Sequence, residues 1–343
     1  MKILFIGGTG TISGAVSQEV LEQGHELWLI NRGNRNHDLP TGVRIITADI
    51  NDEAYVSERL TGHNFDVVAD FIAFQPDQLA RDYRLFRDKT RQFIYISSAS
   101  AYQKPLSDYR INEGTPLSNP FWAYSRDKIA GEELMMKLYR EDGFPVTIVR
   151  PSHTYSLCSV PLGIHGRHGS YQIIRRMQEG KPVIIHGDGT SLWTMTFHQD
   201  FAKGFVGLMG NVHAIGEAVQ ITSDESLTWN QIYQTVADAL GVPLKPCYVS
   251  SAFLAGCTDL DFTGSLLGDK ANTVVFDNSK LKRLVPGFTA STRFDQGVRK
   301  TLDYVLSHPE CQTPDPAFDS WCDRVIEAQA EALQKVRAFY AMT

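Results

Sequence analysis

The chain has 343 residues, 43% of them hydrophobic and 21% charged, with a formal net charge of −6 and a sequence pI near 5.9. This composition excludes a disordered or low-complexity chain and is enough for one large α/β domain or two unequal ones. The acidic balance disfavours nucleic acid as a partner, and the opening apolar run "MKILFIGG" is too short for a signal segment or a membrane span, so a cytoplasmic location is expected.

From the first strand onward, short β-rich runs alternate with helical patterns. The order is "KILFIG", a helix from Ile12 to Gly24, "HELWLINR", "VRIITADI", a helix from Glu53 to Leu60, and "FDVVADFIAF". A helix from Gln78 to Asp88, "QFIYISSAS", a helix from Tyr124 to Glu141 and "PVTIVRPS" follow. Alternation at this spacing predicts βαβ units, hence an α/β fold with a Rossmann-type, doubly wound parallel sheet. That domain is expected over 1–155, with later segments at about 196–228 returning to it. A smaller C-terminal substrate-binding lobe is expected from 156–195 and 229–315, with a helix capped by Thr228 and a last helix within 316–343.

The turn "FIGGTGTISG" joins the first strand to the first helix. A diphosphate approaches backbone closely only where side chains are missing, and a helix N-terminus offers free N–H groups and the positive end of a dipole. Gly7, Thr9, Gly10, Thr11 and Ile12 are therefore expected around a dinucleotide, although Ser13 stands where a third glycine belongs. An acidic residue at the end of the second strand would accept hydrogen bonds from the ribose of NAD; here "LINRGNR" supplies Asn31, Arg32 and Arg35 and no carboxylate. Those arginines would pair with a 2′-phosphate, which favours NADP over NAD. Asp49 and Ile50, after the third strand, are placed to meet the adenine.

In "FWAYSRDKIAGEEL", Tyr124 and Lys128 lie one helical turn apart and so share a face. Together with the glycine turn and "YISSASAY", the pair makes the chain resemble the extended short-chain dehydrogenase/reductases, the NAD(P)-dependent epimerase/dehydratase family, over about Met1 to Leu306. "RPSHTY", "HGDGTSLWTMTFHQDFA" and "FDNSKLKRLVPGF" match the same pattern. The resemblance implies an oxidoreductase or epimerase acting at a carbinol carbon of a sugar, nucleotide sugar or sugar-like substrate. It implies Tyr124 as acid/base, Lys128 as its partner and ribose contact, and Ser98 as the hydrogen bond to the substrate oxygen. It further implies that Phe71, Ile72, Ala73, Pro151, Ser152 and His153 border the cofactor, and that the protein is a homodimer joined through the helix carrying Tyr124 and the helix before it.

Two departures narrow this expectation. Dehydratases of the family follow the serine position with an acidic pair, whereas Ala99 and Ser100 stand here, which argues against elimination of water by that route. Where nucleotide-sugar enzymes keep an arginine, Trp193 stands, and an indole cannot replace a bidentate phosphate contact. Arg167, Arg175 or Arg176 would have to restore such a clamp; Ser100, His153, Arg167 and Trp193 are the candidate substrate contacts. His153, His165, His168, His186 and His198 show no metal-ligand spacing, so no metal is expected. Five scattered cysteines without a CxxC pair fit a reducing compartment. The alternative is a non-catalytic nucleotide- or RNA-binding protein that retains the fold.

Overall fold

A computed structural model describes residues 1–34, 36 and 39–341. The chain divides into two compact units, the first made of Met1–Tyr155, Thr194–Asp224 and Phe276–Ser291 and the second of Ser156–Trp193, Glu225–Val275 and Thr292–Thr343.

The first unit contains β1 (Lys2–Ile6), α1 (Thr11–Glu22), β2 (Glu26–Asn31), β3 (Arg44–Thr47), α2 (Glu53–Arg59), β4 (Val67–Asp70), α3 (Pro76–Phe86), β5 (Phe93–Ile96) and α4 (Ala123–Asp142). With the strands Val146–Pro151 and Ala218–Ile221 these form a seven-stranded sheet. Its order is Ala218–Ile221, Val146–Pro151, β5, β4, β1, β2, β3, with every pairing parallel. Alternate residues of β1 enter opposite cores. Ile3 and Phe5 pack with Val16, Val20 and Phe205, whereas Leu4 and Ile6 pack with Val56, Leu79 and Tyr95. A sheet buried on both faces needs such continuous apolar runs, and "KILFI" and "FIYI" supply them. Between β1 and β4 the strand order reverses, and in sheets of this kind a ligand crevice opens at that point beyond the carboxyl ends of the strands.

Element boundaries depart from the sequence reading where a side chain captures backbone. "DFIAF" leaves β4 after Asp70 because the Asp70 Oδ1 accepts from the backbone N–H of Ile72 and of Ala73, the latter at 2.9 Å, in competition with the ladder. Helix α3 begins at Pro76, two residues earlier than expected, since proline is favoured in a first turn and Gln78 Oε1 accepts from the Gln75 N–H at 3.0 Å. The segment Phe276–Ser291 belongs with the first unit rather than the lobe. There Leu281 lies in the core beside Phe205, and Asn278 Nδ2 donates to the Thr222 carbonyl at 3.0 Å.

In the second unit the strand Val183–His186 pairs in parallel with Pro246–Val249. The helix Trp229–Leu240 is capped as expected, with Thr228 Oγ1 accepting from the Gln231 N–H at 3.1 Å. A 26-residue helix, Pro316–Ala341, ends the described chain. No helix among the described residues is long and apolar enough to cross a membrane.

Candidate active site

Beyond β1 the chain turns through Gly7 at φ 98° and Gly8 at φ 116°, a region side chains rarely adopt. A Cβ on Gly7 would lie 3.0 Å from Ile72 Cγ2, so the turn is open only because the side chain is absent. Gly10 caps α1, and its N–H donates to Ser13 Oγ at 2.9 Å. The serine at the expected third-glycine position thus satisfies the Gly10 N–H and leaves the first-turn N–H groups of Thr11 and Ile12 for an anion. Gly7, Thr9, Asn31, Arg32, Asp49, Ile50 and Ile72 all border one cleft of about 560 Å³. A Gly7→Ala variant is expected to lose cofactor affinity through backbone strain of about 1–3 kcal/mol, read by nucleotide titration against a melt of the free protein.

The rest of the cleft is polar and specific. Asn31 Oδ1 accepts from the Gly33 N–H at 2.8 Å, and the buried Asn31 Nδ2 has no partner among the described residues. Asp49 Oδ1 is taken up by the Asn51 N–H at 2.9 Å. Arg35 lies outside the described residues. Phe71 is not among the residues lining the cleft; its ring packs against Phe5 at 5.0 Å and Phe205 at 5.4 Å. Pro151 closes its strand by pairing with Ile221, and His153 begins the strand His153–Tyr155 that pairs with Met195–Phe197.

Tyr124 and Lys128, which are not among the residues lining that cleft, occupy the first turns of α4. Tyr124 is half-buried between Trp122, ring centroids 5.0 Å apart, and Phe74, 6.2 Å apart. The Lys128 ammonium lies 5.7 Å from the centre of the Tyr124 ring and donates to the carbonyls of Ala73 at 2.7 Å and Ile96 at 2.8 Å. Burial draws its pKa down to about 8, against the carboxylates of Asp70 and Glu132, which oppose the fall. Folded Lys128 therefore sheds its proton at lower pH than the unfolded chain does. Between about 8 and 10.5 the unfolded state binds more protons, so raising the pH favours folding there. The stability of wild type relative to Lys128→Met is expected to rise across that window, and denaturant titrations at stepped pH would show it.

Ser98 lies just past β5, half-buried, and its Oγ is 2.9 Å from Ser100 Oγ. Ser125 Oγ donates to Ser100 Oγ at 2.8 Å, and Asn119 Nδ2 donates to the Ser100 carbonyl at 2.8 Å. The residue after Tyr124 is thereby fastened to the loop that carries Ser98.

Two buried charge clusters hold this site, and the sequence reading named neither. Arg81 donates to Asp82 at 2.7 Å and to Asn51 Oδ1, in the cleft, at 2.7 Å, and approaches Asp70 at 3.5 Å. Burial and the neighbouring Asp70 push the Asp82 carboxyl well up, with Arg81 opposing. Under α4, Glu132 receives Arg150 Nε at 2.9 Å, a second bond from Arg150 Nη2, and the Ser97 hydroxyl. The available signal was register: Asp82 sits among Leu79, Leu85 and Phe86 on the apolar stripe of α3, and Glu132 falls one turn beyond Lys128.

The expected phosphate clamp is corrected. Arg176 is fully buried, held by Asp319 and Asp323 at 2.7 Å each, and donates to the Pro182 carbonyl. Arg175 pairs with Glu179, and Arg167 with Asp259 at the surface. Trp193 is 3% exposed and lies stacked on Trp229 at 5.8 Å, so its indole is a packing group. Ser100, also buried, serves the hydroxyl network. Among the described residues no three His, Cys, Asp or Glu side chains are grouped to hold a metal ion. His186 is buried and His198 half-buried, and burial draws the pKa of each down to about 4.

A parallel sheet with a glycine turn at its switch point, and a Tyr/Lys pair beyond the neighbouring strands, defines a Rossmann dehydrogenase-like protein. The model of the NAD dependent epimerase/dehydratase family matches residues 3–222, and the chain belongs to that family, enzymes of the extended short-chain dehydrogenase/reductase type. It is 24% identical over 288 residues to a 2′-dehydrokanamycin reductase of Streptomyces kanamyceticus, covering 84% of this chain and 80% of that protein. It is 25% identical over 255 residues to a chloroplast stem-loop binding protein of Arabidopsis thaliana, covering 71% and 64%. Among solved structures, a UDP-glucuronic acid 4-epimerase of Bacillus cereus in complex with UDP-glucuronic acid and NAD superposes with a TM-score of 0.69 at 21% identity. That match covers 90% of this chain and 99% of the other. A dTDP-glucose 4,6-dehydratase of Bacillus anthracis in complex with NAD gives 0.71 at 16% identity, covering 91% and 98%.

Proposed function

We propose that the chain is an oxidoreductase or epimerase that binds NADP in preference to NAD and acts at a carbinol carbon of a carbohydrate-like substrate. The observation that carries this reading is the Lys128 ammonium, pinned by two carbonyls and set 5.7 Å from the Tyr124 ring. A phenol has an ordinary pKa of about 10 and is a weak base at neutral pH. A cation beside it favours the phenolate, so Tyr124 can take the proton of a substrate hydroxyl and return it in the reverse direction. Ser98 donates a hydrogen bond to the same oxygen as it becomes a carbonyl. The nicotinamide, when bound, accepts or supplies the hydride at that carbon.

The cleft suits such a cofactor, because Gly7 carries no side chain at the turn where Ile72 leaves no room for one, and Asn31 Nδ2 lacks an acceptor among the described residues. Arg32, with no carboxylate beside it at the end of β2, supports NADP. Arg32→Ala is expected to weaken NADP binding roughly tenfold relative to NAD, as read by calorimetry with both nucleotides.

Native mass spectrometry of the purified protein, followed by assay with UDP-glucose, UDP-glucuronic acid and 2′-dehydrokanamycin, tests the reading. Tightly held nucleotide with epimerised sugar indicates epimerisation, and exchangeable NADPH consumed by a ketone indicates reduction. The same spectrum reports whether two chains associate, as expected through α3 and α4. The plant relative's name favours a second reading, RNA binding without chemistry. It requires stem-loop RNA to bind with strong salt dependence and no turnover of any of the three substrates.

A further inference from the structure

The three serines Ser98, Ser100 and Ser125 form a hydroxyl chain. Ser125 Oγ is the donor to Ser100 Oγ at 2.8 Å, and Ser125 is fully buried. A hydroxyl that accepts from one neighbour still has its own proton to give, and the next oxygen is Ser98 Oγ at 2.9 Å. Ser98 Oγ also accepts from the Ser100 backbone N–H at 3.1 Å. With Ser100 as the donor of the 2.9 Å contact, Ser98 Oγ receives two hydrogen bonds and its own proton is directed off the chain of serines. Each acceptance polarises the hydroxyl and makes it a better donor.

We infer that Ser125 and Ser100 are positioning residues that fix Ser98 as a hydrogen-bond donor aimed at the substrate oxygen. This rests on the proposed function, in which that oxygen gains and loses negative character. A donor oriented before the reaction stabilises developing charge without the reorganisation a freely rotating hydroxyl would need. Ser100 occupies the place that the family's dehydratases give to an acid, so a proton-transfer position has become an orienting one. Ser125, directly after Tyr124, makes the orientation depend on the seating of α4: if the start of the helix moves, the acid/base and the donor move together.

Neutron diffraction from the perdeuterated, cofactor-free protein tests the direction without a substrate. The expected deuterons point from Ser125 to Ser100 and from Ser100 to Ser98, with the Ser98 deuteron directed off the chain. A Ser98 deuteron directed back at Ser100 overturns the inference. Kinetics form the second arm, with UDP-glucose, UDP-glucuronic acid and 2′-dehydrokanamycin as probes. Ser125→Ala is expected to lower kcat roughly five- to thirtyfold with KM unchanged, the loss of one tuned hydrogen bond. In a Ser98→Ala background the same substitution should have almost no further effect, because its influence passes through Ser98. Losses that multiply in the double variant point to a structural role and overturn the inference. Wild-type kcat in Ser125→Ala with an inactive Tyr124→Phe overturns it while leaving the proposed function intact. Turnover retained in Tyr124→Phe, or none by wild type on any probe, overturns the proposed function itself, and the neutron result then decides whether the serines are oriented as described.

Discussion

Tyr124→Phe is expected to lower turnover by about 10²–10⁴-fold, the usual contribution of a positioned acid/base, while dinucleotide affinity stays near wild type. The substitution is clean because phenylalanine keeps the ring between Trp122 and Phe74 and leaves Lys128 its two carbonyls; only the hydroxyl is removed. A single-turnover assay of reduced-nicotinamide absorbance with the sugar probes, beside a calorimetric titration of NADP, separates the two quantities. If turnover survives, the proton passes through another group and the role given to Tyr124 is wrong.

Glu132→Ala is expected to destabilise the fold by about 3–5 kcal/mol, because it leaves the Arg150 guanidinium buried without its anion. The side chains of this pair are 5% and 4% exposed, so water cannot substitute for the missing carboxylate. Replacing both partners, Glu132→Leu with Arg150→Met, should recover most of the loss, since two apolar groups need no counter-charge. Urea midpoints of the three proteins measure this. A loss below about 1 kcal/mol in Glu132→Ala would show that the cluster is not holding α4 against the sheet.

What was legible in the sequence was local. The glycine turn, the strand–helix alternation and the Tyr124/Lys128 spacing each lie within a short run of residues, so backbone geometry links them directly. What was illegible depends on partners far along the chain. Arg176 reads as a free cation at the end of a helix, and only the acids of the Pro316–Ala341 helix bury and neutralise it. Trp193 reads as a candidate substrate contact until Trp229 covers it. Asp70, Arg81 and Asp82 read as ordinary polar residues because a charge becomes structural only once β4 and α3 meet around it. Asp82 could have been suspected from its place among Leu79, Leu85 and Phe86, since a carboxyl on an apolar stripe requires a partner.

Arg81 reaches in two directions at once. One side grips Asn51 in the cleft, and the other steadies the carboxylates whose turn presents the Ala73 carbonyl to Lys128. Substitutions that rebuild the cleft around Asn51 are therefore expected to disturb the tether of the Lys128 ammonium as well, so that changes made for binding carry over to the other end of the Arg81 network.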